Sequence, residues 1–361
     1  MPSFTPNAET MLRNLSSFLT PSSTPPLAPG PDGLQTAKQH SALFPATDPQ
    51  IDGEACLRDC ETCTIHYPRK FQIDEDDRLY GHIQGWSRHL IVATGKTDWV
   101  RAVEDEKGSV MEAVGRYQAD MVEGGRLMLS ASNIPTEADL LGGGDGKGNY
   151  GQPTRCLLLP AFQWVNGVLP RHVPHLIKGT INKAPTNTQR LHAPDSGESN
   201  GFSPSYELPA GLSLAACPHK YLVLLCSQAT RDARCGQSAP LLRRELERHL
   251  RPLGLYRDLG DERPGGVGIY FISHVGGHKY SANMLVYRRA DVPRSGAALA
   301  QAEGGGTRIG EGEAAQCIWL ARVRPEDCEN IVRFTVLQGK VVKPERQLRG
   351  GFDREKGVVS W

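Results

Sequence analysis

The chain has 361 residues, of which 39% are hydrophobic and 22% are charged, and its 41 basic and 40 acidic side chains give a formal net charge of +1. This composition is that of a globular protein long enough for two domains. The balanced charge argues against nucleic acid or a membrane surface as a partner, and the apolar runs are too short to span a bilayer.

The nine cysteines are too few for a disulfide-rich scaffold of this length. The N-terminus lacks the basic start and apolar core of a secretory signal, so a reducing compartment is expected and cysteine pairs are interpreted first as metal or redox sites. The first thirty residues carry one acidic and one basic residue, Glu9 and Arg13, and a mitochondrial presequence has more arginine. The predicted location is the cytoplasm, with the mitochondrion as the alternative.

The N-terminal segment is predicted to lack stable structure. Residues 1–45 are rich in Pro, Ser and Thr, and such a segment buries too little apolar surface to offset the entropy lost on ordering. A short helix is expected around Glu9–Leu19, because its apolar residues share one helical face. Residues 1–45 are therefore interpreted as a disordered tail.

Three cysteines follow the tail, at Cys56, Cys60 and Cys63. The Cys60-x-x-Cys63 spacing suits a metal knuckle or a redox dithiol, but no second pair follows at zinc-finger spacing. A redox dithiol is expected after a strand and at the start of a helix. This pair precedes the first clear strand, and Asp59 and Glu61 are expected to raise the thiol pKa values. Structural thiols are the favoured interpretation, with redox thiols or an accessory metal site as the alternative.

Residues 46–180 are predicted to form a first, degenerate thioredoxin-like domain. Its predicted elements are a strand at 89–94, a helix at Trp99–Val114, a strand at 126–132, a loop at 142–153, a strand at 156–162, a turn at 165–170 and a closing segment at 173–179. The glycine-rich loop is not a phosphate-binding loop, because Lys147 is followed by Gly148 and Asn149 instead of Ser or Thr.

Residues 181–215 are polar and are interpreted as a linker, and residues 216–361 repeat the first pattern. The predicted elements are a strand at 220–227, a helix at Ala239–Leu250, strands at 267–273 and 282–287, a glycine-rich insertion at 289–316, a strand at 317–323 and a helix at Pro325–Leu337. A strand, a helix, a two-stranded hairpin and a terminal helix are the ingredients of a thioredoxin-like unit. The predicted fold class is therefore α/β with two thioredoxin-like units, as a degenerate duplication.

Four residues with metal-binding side chains lie at the ends of predicted strands in the second unit: Cys226, Cys235, His274 and His278. Cys226 ends a strand, and Cys235 is expected just before a helix whose free N–H groups and dipole favour a thiolate. Neighbouring arginines in the loop SQATRDAR favour deprotonated sulfur as well. The four residues are therefore predicted to form a metal site.

The spacing of these residues favours an iron–sulfur cluster over zinc. A tetrahedral zinc knuckle has two to four residues between its cysteines, whereas eight residues separate Cys226 from Cys235. The adjacent glycines between His274 and His278 make a helix there unfavourable and indicate a loop whose backbone can approach a cluster closely. Two imidazoles in place of two thiolates would raise the reduction potential from about −400 mV to about −150 to +300 mV.

The pattern C-x8-C … H-x-G-G-H resembles the motif of the sucrase/ferredoxin-like family of thioredoxin-like ferredoxins, which has fungal members. The resemblance covers residues 46–361 and implies a [2Fe–2S] cluster bound by Cys226, Cys235, His274 and His278, with both histidines on one iron. It also implies a thioredoxin-like ferredoxin domain over residues 216–361. The implied role is electron transfer in redox homeostasis rather than catalysis, with a donor and an acceptor that the sequence does not identify.

Two alternatives to an electron carrier stay open. A thiol–disulfide oxidoreductase would use Cys60 and Cys63, with any cluster secondary. A zinc-stabilised interaction module would use the same four ligands without redox activity.

The last three residues, Val359-Ser360-Trp361, resemble the C-terminal tripeptide of cytosolic iron–sulfur proteins, an aliphatic residue followed by Asp, Glu or Ser and then Trp or Phe. That tripeptide is recognised by the cytosolic iron–sulfur targeting machinery. The resemblance implies that this machinery is a partner and favours the cytosol. The alternative is a terminal Trp361 that packs on its own domain.

Overall fold

The computed structural model describes residues 33–142, 150–191, 208–293 and 312–361. The helix predicted at Glu9–Leu19, most of the glycine-rich loop and most of the insertion at 289–316 lie outside the described residues. No helix among the described residues is long and apolar enough to cross a bilayer.

The described chain forms thirteen strands and eight short or medium α-helices. The strands are β1 (Gln35–Thr36), β2 (Arg88–Ala93), β3 (Leu127–Ser132), β4 (Thr154–Leu159), β5 (Gln163–Val168), β6 (Ser213–Ala216), β7 (Tyr221–Cys226), β8 (Tyr256–Arg257), β9 (Val267–Ile272), β10 (Met284–Arg289), β11 (Ala314–Leu320), β12 (Leu348–Asp353) and β13 (Val358–Val359). The helices are α1 (His40–Leu43), α2 (Pro49–Asp52), α3 (Val110–Met121), α4 (Glu137–Leu140), α5 (Val173–Leu176), α6 (Ala233–Leu250), α7 (Cys328–Asn330) and α8 (Pro344–Gln347). A π-helix, Ile177–Ile181, continues α5, and another, Ile331–Val336, continues α7.

All thirteen strands of the described residues belong to one mixed sheet, in the order β1-β13-β12-β11-β10-β7-β9-β3-β2-β4-β5-β6, with β8 beside β9. The predicted α/β class is therefore confirmed. The central strands β2, β4, β7 and β9 are wholly buried and mostly apolar, as expected where a sheet is covered on both faces.

The same connectivity occurs in both halves of the chain. In the first half, β2 and β3 are parallel with α3 between them, β4 is antiparallel to β2, and β5 is antiparallel to β4 and precedes α5. In the second half, β7 and β9 are parallel with α6 between them, β10 is antiparallel to β7, and β11 is antiparallel to β10 and precedes α7. Each half thus orders its strands second, first, third, fourth.

The two halves meet where β3 pairs antiparallel with β9, at Ser132 and Ile272. Ser132 Oγ donates to the Phe271 carbonyl at 2.7 Å, and the Asn133 side chain accepts the Phe271 N–H at 2.7 Å. Ser273 Oγ accepts the backbone N–H of Ala131, in β3, at 3.1 Å. Because these bonds lie at the end of β9, the residues that follow β9 are placed between the halves. The predicted domain boundaries, 46–180 and 216–361, stay a prediction.

Two predicted helices have different limits in the structure. The first was expected at Trp99–Val114, but α3 begins only after Ser109, whose side chain accepts the Glu112 N–H at 3.0 Å as an N-cap. Trp99 instead donates its indole N–H to Thr94 Oγ1 at 2.9 Å. The second was expected to begin at Ala239, but α6 begins at Ala233.

The turn predicted at 165–170 was wrong, because Gln163–Val168 form β5, which pairs with β4 and β6. The predicted disordered tail was wrong for residues 33–45. There β1 pairs in parallel with β13, and Leu43 and Phe44 are buried. The predicted linker also ends early, since its last residues form β6. The partners of β1 and β6 are remote in sequence, and β5 is polar enough in composition to resemble a turn, so local composition carried no sign of these strands.

Candidate metal centre

The two cysteines of the motif come from two adjacent elements. Cys226 is the last residue of β7 and is 1% exposed. Cys235 lies in the first turn of α6, not before the helix as predicted, because Asp232 is the N-cap and accepts the Arg234 N–H at 2.9 Å. Both sulfurs are therefore held by regular structure inside the protein.

The third predicted ligand joins them from the loop after β9. His274 Nδ1 lies 3.8 Å from Cys226 Sγ, and the ligand atoms of Cys226, Cys235 and His274 are all within 4.8 Å of one another. The predicted loop between the histidines is present, with Gly276 at φ 87° and Gly277 at φ 67°. His278 begins the short 3-10 turn that ends this loop, and its side chain lies outside the described part of the structure.

The two thiols have opposite pKa shifts. The pKa of Cys226 is lowered to about 5, chiefly by a hydrogen bond from Cys235 and also by His274, against the effect of burial. The same bond, with burial, raises the pKa of Cys235. The sequence favoured a lowered pKa at Cys235 from the helix dipole, whereas in the structure the pKa of Cys226 is the one that is lowered, because Cys235 donates a hydrogen bond to its sulfur.

Sequence reasoning missed Arg349 in β12, whose side chain anchors the histidine loop. It donates to the Gly276 carbonyl at 3.0 Å, to Asn283 Oδ1 at 2.7 Å and to the His82 carbonyl at 2.9 Å. Its guanidinium lies 4.6 Å from the centre of the Trp319 ring. Burial lowers the pKa of Arg349 to about 10, so it carries a buried positive charge at neutral pH. No local signal in the sequence marks this residue.

The first half of the chain supports the loop between the cysteines. Ser227 Oγ donates to the Thr97 carbonyl at 2.8 Å, and Gln228 Nε2 donates to the Val100 carbonyl at 2.5 Å. Gln228 Oε1 in turn accepts the backbone N–H of His274 at 2.8 Å. Gln228 therefore connects the cysteine loop, the histidine loop and the first half.

His274 faces open space at the junction of the halves. A cavity of about 390 Å³ is lined by residues of the histidine loop and by His82, Arg126, Arg231 and Trp319. A second cavity, of about 690 Å³, shares His274, Arg126 and Arg231. One face of the cysteine–histidine group is thus reachable from solvent.

Cys60 and Cys63 lie in an irregular segment that contains neither strand nor helix between Leu57 and Arg88. Cys60 Sγ accepts from Arg248 at 3.3 Å, and Cys63 Sγ donates to the Ile65 carbonyl at 3.4 Å. Burial raises the pKa of Cys63, and Glu245 adds to this. The predicted influence of the neighbouring acidic residues Asp59 and Glu61 is not among these causes.

The terminal tryptophan is half-buried. The Trp361 ring lies 4.7 Å from the Trp86 ring, and the Trp361 carbonyl accepts from Thr36 Oγ1 at 2.8 Å. Trp361 thus packs on its own chain while part of its side chain stays accessible.

The fold and these donors define a mixed α/β protein with a buried cysteine–histidine site between two topologically similar halves. The family model described as Sucrase/ferredoxin-like matches residues 79–350, and the chain belongs to this family.

Among curated proteins, the chain is 26% identical over 310 residues to actin patches distal protein 1 of Saccharomyces cerevisiae, a match that covers 82% of this chain and 85% of that protein. It is 33% identical over 125 residues to altered inheritance of mitochondria protein 32 of Clavispora lusitaniae, covering 35% of this chain and 33% of that protein. The Debaryomyces hansenii protein of the same name is 30% identical over 124 residues, 34% of each chain. No solved structure matches.

Proposed function

We propose that the protein holds a [2Fe–2S] cluster on Cys226, Cys235, His274 and His278 and acts as an electron carrier. The observation that supports this best is the convergence of two sulfurs and one imidazole nitrogen within 4.8 Å, contributed by a strand end, a helix start and a loop. The fourth proposed ligand, His278, follows on the same loop. The description of the family as ferredoxin-like agrees with this function.

The residues present fit such a group. Thiolate and imidazole are the ligands of Rieske-type [2Fe–2S] centres, and one thiol of the pair already favours the charged form. Gly276 and Gly277, both at positive φ, give the histidine loop two residues without side chains between its two histidines. When bound, the cluster would supply one-electron transfer. The protein would set the charges around the cluster and the face through which redox partners reach it.

The chain's own residues would set that environment. Neutral imidazoles in place of two thiolates reduce the negative charge of the ligand set, which raises the reduction potential. The buried positive charge of Arg349 acts in the same direction, because it stabilises the more negative reduced state. The accessible face of His274 is the proposed route by which electrons enter and leave.

We propose the two halves as thioredoxin-like units, over residues 46–180 and 216–361. The support is the repeated strand–helix–strand–hairpin–helix connectivity with the same strand order. Among the described residues, the first unit has no counterpart of the ligand set at the end of β2. Its proposed role is to support the cysteine loop through hydrogen bonds to Ser227 and Gln228.

Metal analysis tests the function. Protein purified without oxygen is expected to be red-brown, with about two iron atoms and two acid-labile sulfides per chain, and to show on reduction a paramagnetic spectrum with the low average g-value of histidine-ligated clusters. Colourless protein with stoichiometric zinc at these four residues would instead support the zinc-stabilised interaction module.

We further propose that the cytosolic iron–sulfur targeting machinery recognises the C-terminal residues that end in Trp361, and that the protein works in the cytoplasm. The name of the related altered inheritance of mitochondria protein 32 keeps the mitochondrion as the alternative compartment. A Trp361→Ala variant is expected to lack its cluster when isolated from cells but to accept one by chemical reconstitution. Normal iron content in the isolated variant would refute the partner proposal.

A further inference from the structure

We propose a second metal site, of the Zn²⁺ class, on Cys60, His249 and Glu329. The ligand atoms of these three residues lie within 4.8 Å of one another. None of them belongs to the cysteine–histidine centre, so this site does not depend on the proposed cluster. The two proposals can fail separately.

The spacing of the donor atoms is close to that of a zinc site. Zinc–sulfur bonds of about 2.3 Å and zinc–nitrogen bonds of about 2.0 Å in a tetrahedron place sulfur and nitrogen about 3.5 Å apart. Cys60 Sγ and His249 Nε2 are 3.9 Å apart. Side-chain adjustments of a few tenths of an ångström would therefore bring them to coordination distance.

The backbone at this place is held in position by other bonds. The N–H of Cys60 donates to the Glu326 carbonyl at 3.0 Å. The Asn330 side chain in α7 donates to the carbonyls of Cys56 and Arg58 at 3.3 and 2.8 Å. Cys60 and α7 are therefore kept together before any metal binds, which lowers the conformational entropy lost on coordination.

The guanidinium of Arg248 already lies beside two of the three proposed ligand atoms. Nη2 of Arg248 lies 3.3 Å from Cys60 Sγ and 3.0 Å from His249 Nε2. A guanidinium has only donors, so the Nε2 atom that faces it must present a lone pair, as a metal ligand does.

Arg248 Nη2 can leave this position while the guanidinium keeps one contact with its own partner. The Arg248 side chain is 41% exposed, and its Nε donates to Oε2 of the buried Glu245 at 2.9 Å, independently of Nη2. Glu245 Oε2 also lies 3.5 Å from His249 Nε2, so a carboxylate lies beside the position. A divalent cation would replace the guanidinium in an environment that already stabilises positive charge.

Cys63, on the same turn as Cys60, is a candidate for the fourth ligand. The Cys60-x-x-Cys63 spacing is that of zinc knuckles, and the Cys63 N–H donates to the Cys60 carbonyl at 3.2 Å in a tight turn. If Cys63 does not bind the metal, a water molecule can be the fourth ligand. The metal would link the irregular segment at 58–80 to α6 through His249 and to α7 through Glu329, giving it a structural role.

Zinc analysis of the full-length protein tests the site. After equilibration with Zn²⁺ and gel filtration, the chain is expected to retain one zinc in addition to its iron. Cys60→Ser, His249→Gln and Glu329→Gln are each expected to lower zinc affinity at least tenfold while iron and sulfide stay unchanged. Glu326→Gln is the matched control for Glu329→Gln and should retain zinc. Equal zinc retention in wild type and all three ligand variants would overturn the proposal.

Arg248→Ala separates a metal site from a simple thiol–guanidinium contact. If Arg248 competes with the metal, its removal is expected to raise zinc affinity severalfold, whereas Arg251→Ala on the same helix should leave it unchanged. Both arginines are partly exposed, so these variants remain informative if Cys60→Ser fails to fold. The absence of retained zinc in wild type and in Arg248→Ala alike would refute the site.

Discussion

The guanidinium of Arg349 lies directly against Gly277: a Cβ at position 277 would come 2.5 Å from Arg349 Nη2. Gly277 also has φ 67°, a region that other residues adopt at a cost of about 1–2 kcal/mol. The histidine loop therefore depends both on the absence of a side chain and on the arginine that takes its place.

Gly277→Ala is expected to displace the loop from Arg349 and to weaken cluster retention. Gly276→Ala is the matched control, because it too has a positive φ of 87° but nothing lies within 4 Å of its added Cβ. Both variants should lose about 1–2 kcal/mol of stability from backbone strain, but only Gly277→Ala should lose iron. Thermal unfolding and iron analysis measure the two effects, and equal iron loss in both variants would contradict the role of the contact.

Arg349→Gln is expected to lower the reduction potential of the proposed cluster by tens of millivolts. The physical reason is the loss of a buried positive charge that stabilises the reduced state. Arg349→Lys keeps the charge but loses the planar fork that bonds three acceptors, so it should change the potential less and weaken cluster retention. Voltammetry of both variants checks this. An unchanged potential in Arg349→Gln would show that the charge of Arg349 does not affect the reduction potential.

His274→Cys and His278→Cys are each expected to retain a cluster with a lower potential. A thiolate adds negative charge where a neutral imidazole stood, and all-cysteine plant-type clusters lie several hundred millivolts below bis-histidine ones. A potential equal to that of the wild type would show that the replaced histidine is not a ligand.

Stability is expected to fall as pH falls below about 6.5, because His89 is buried in β2. Its ring lies 3.1 Å from Tyr287 Oη and 2.9 Å from Ser130 Oγ. Burial, with a smaller effect from Arg126, lowers its pKa to about 3. Between the two pKa values the unfolded chain binds a proton that the folded chain does not, so acid favours unfolding by about 1.4 kcal/mol per pH unit.

Denaturant unfolding at pH 7 and pH 5 measures this effect. His89→Gln should reduce the acid-induced loss of stability by about 1–2 kcal/mol over that interval. His219, whose pKa burial lowers to about 4, contributes in the same direction and remains in the variant. Parallel pH profiles for wild type and His89→Gln would contradict the assignment to His89.

Most of the sheet could be predicted from the chain because its central strands are continuous apolar runs. YLVLLC at β7 and VGIYFI at β9 are such runs. A continuous apolar run predicts a strand that is buried on both faces of its sheet. Strand β5, with the sequence QWVNGV, is polar enough to resemble a turn. It is a strand because β4 and β6 supply its hydrogen-bond partners, and β1 likewise depends on β13 at the far end of the chain.

The sequence by itself identified the family motif and predicted Cys226, Cys235 and His274 as neighbours in one site, since their spacing and the glycines after His274 can be seen in the sequence alone. Only the tertiary structure decided which thiol has the lowered pKa, because that depends on the hydrogen bond between two sulfurs and on burial. It also brought Arg349 beneath the histidine loop and Cys60 beside His249. These contacts join segments that are distant in sequence, and their geometry exists only once the strands and helices between them have packed.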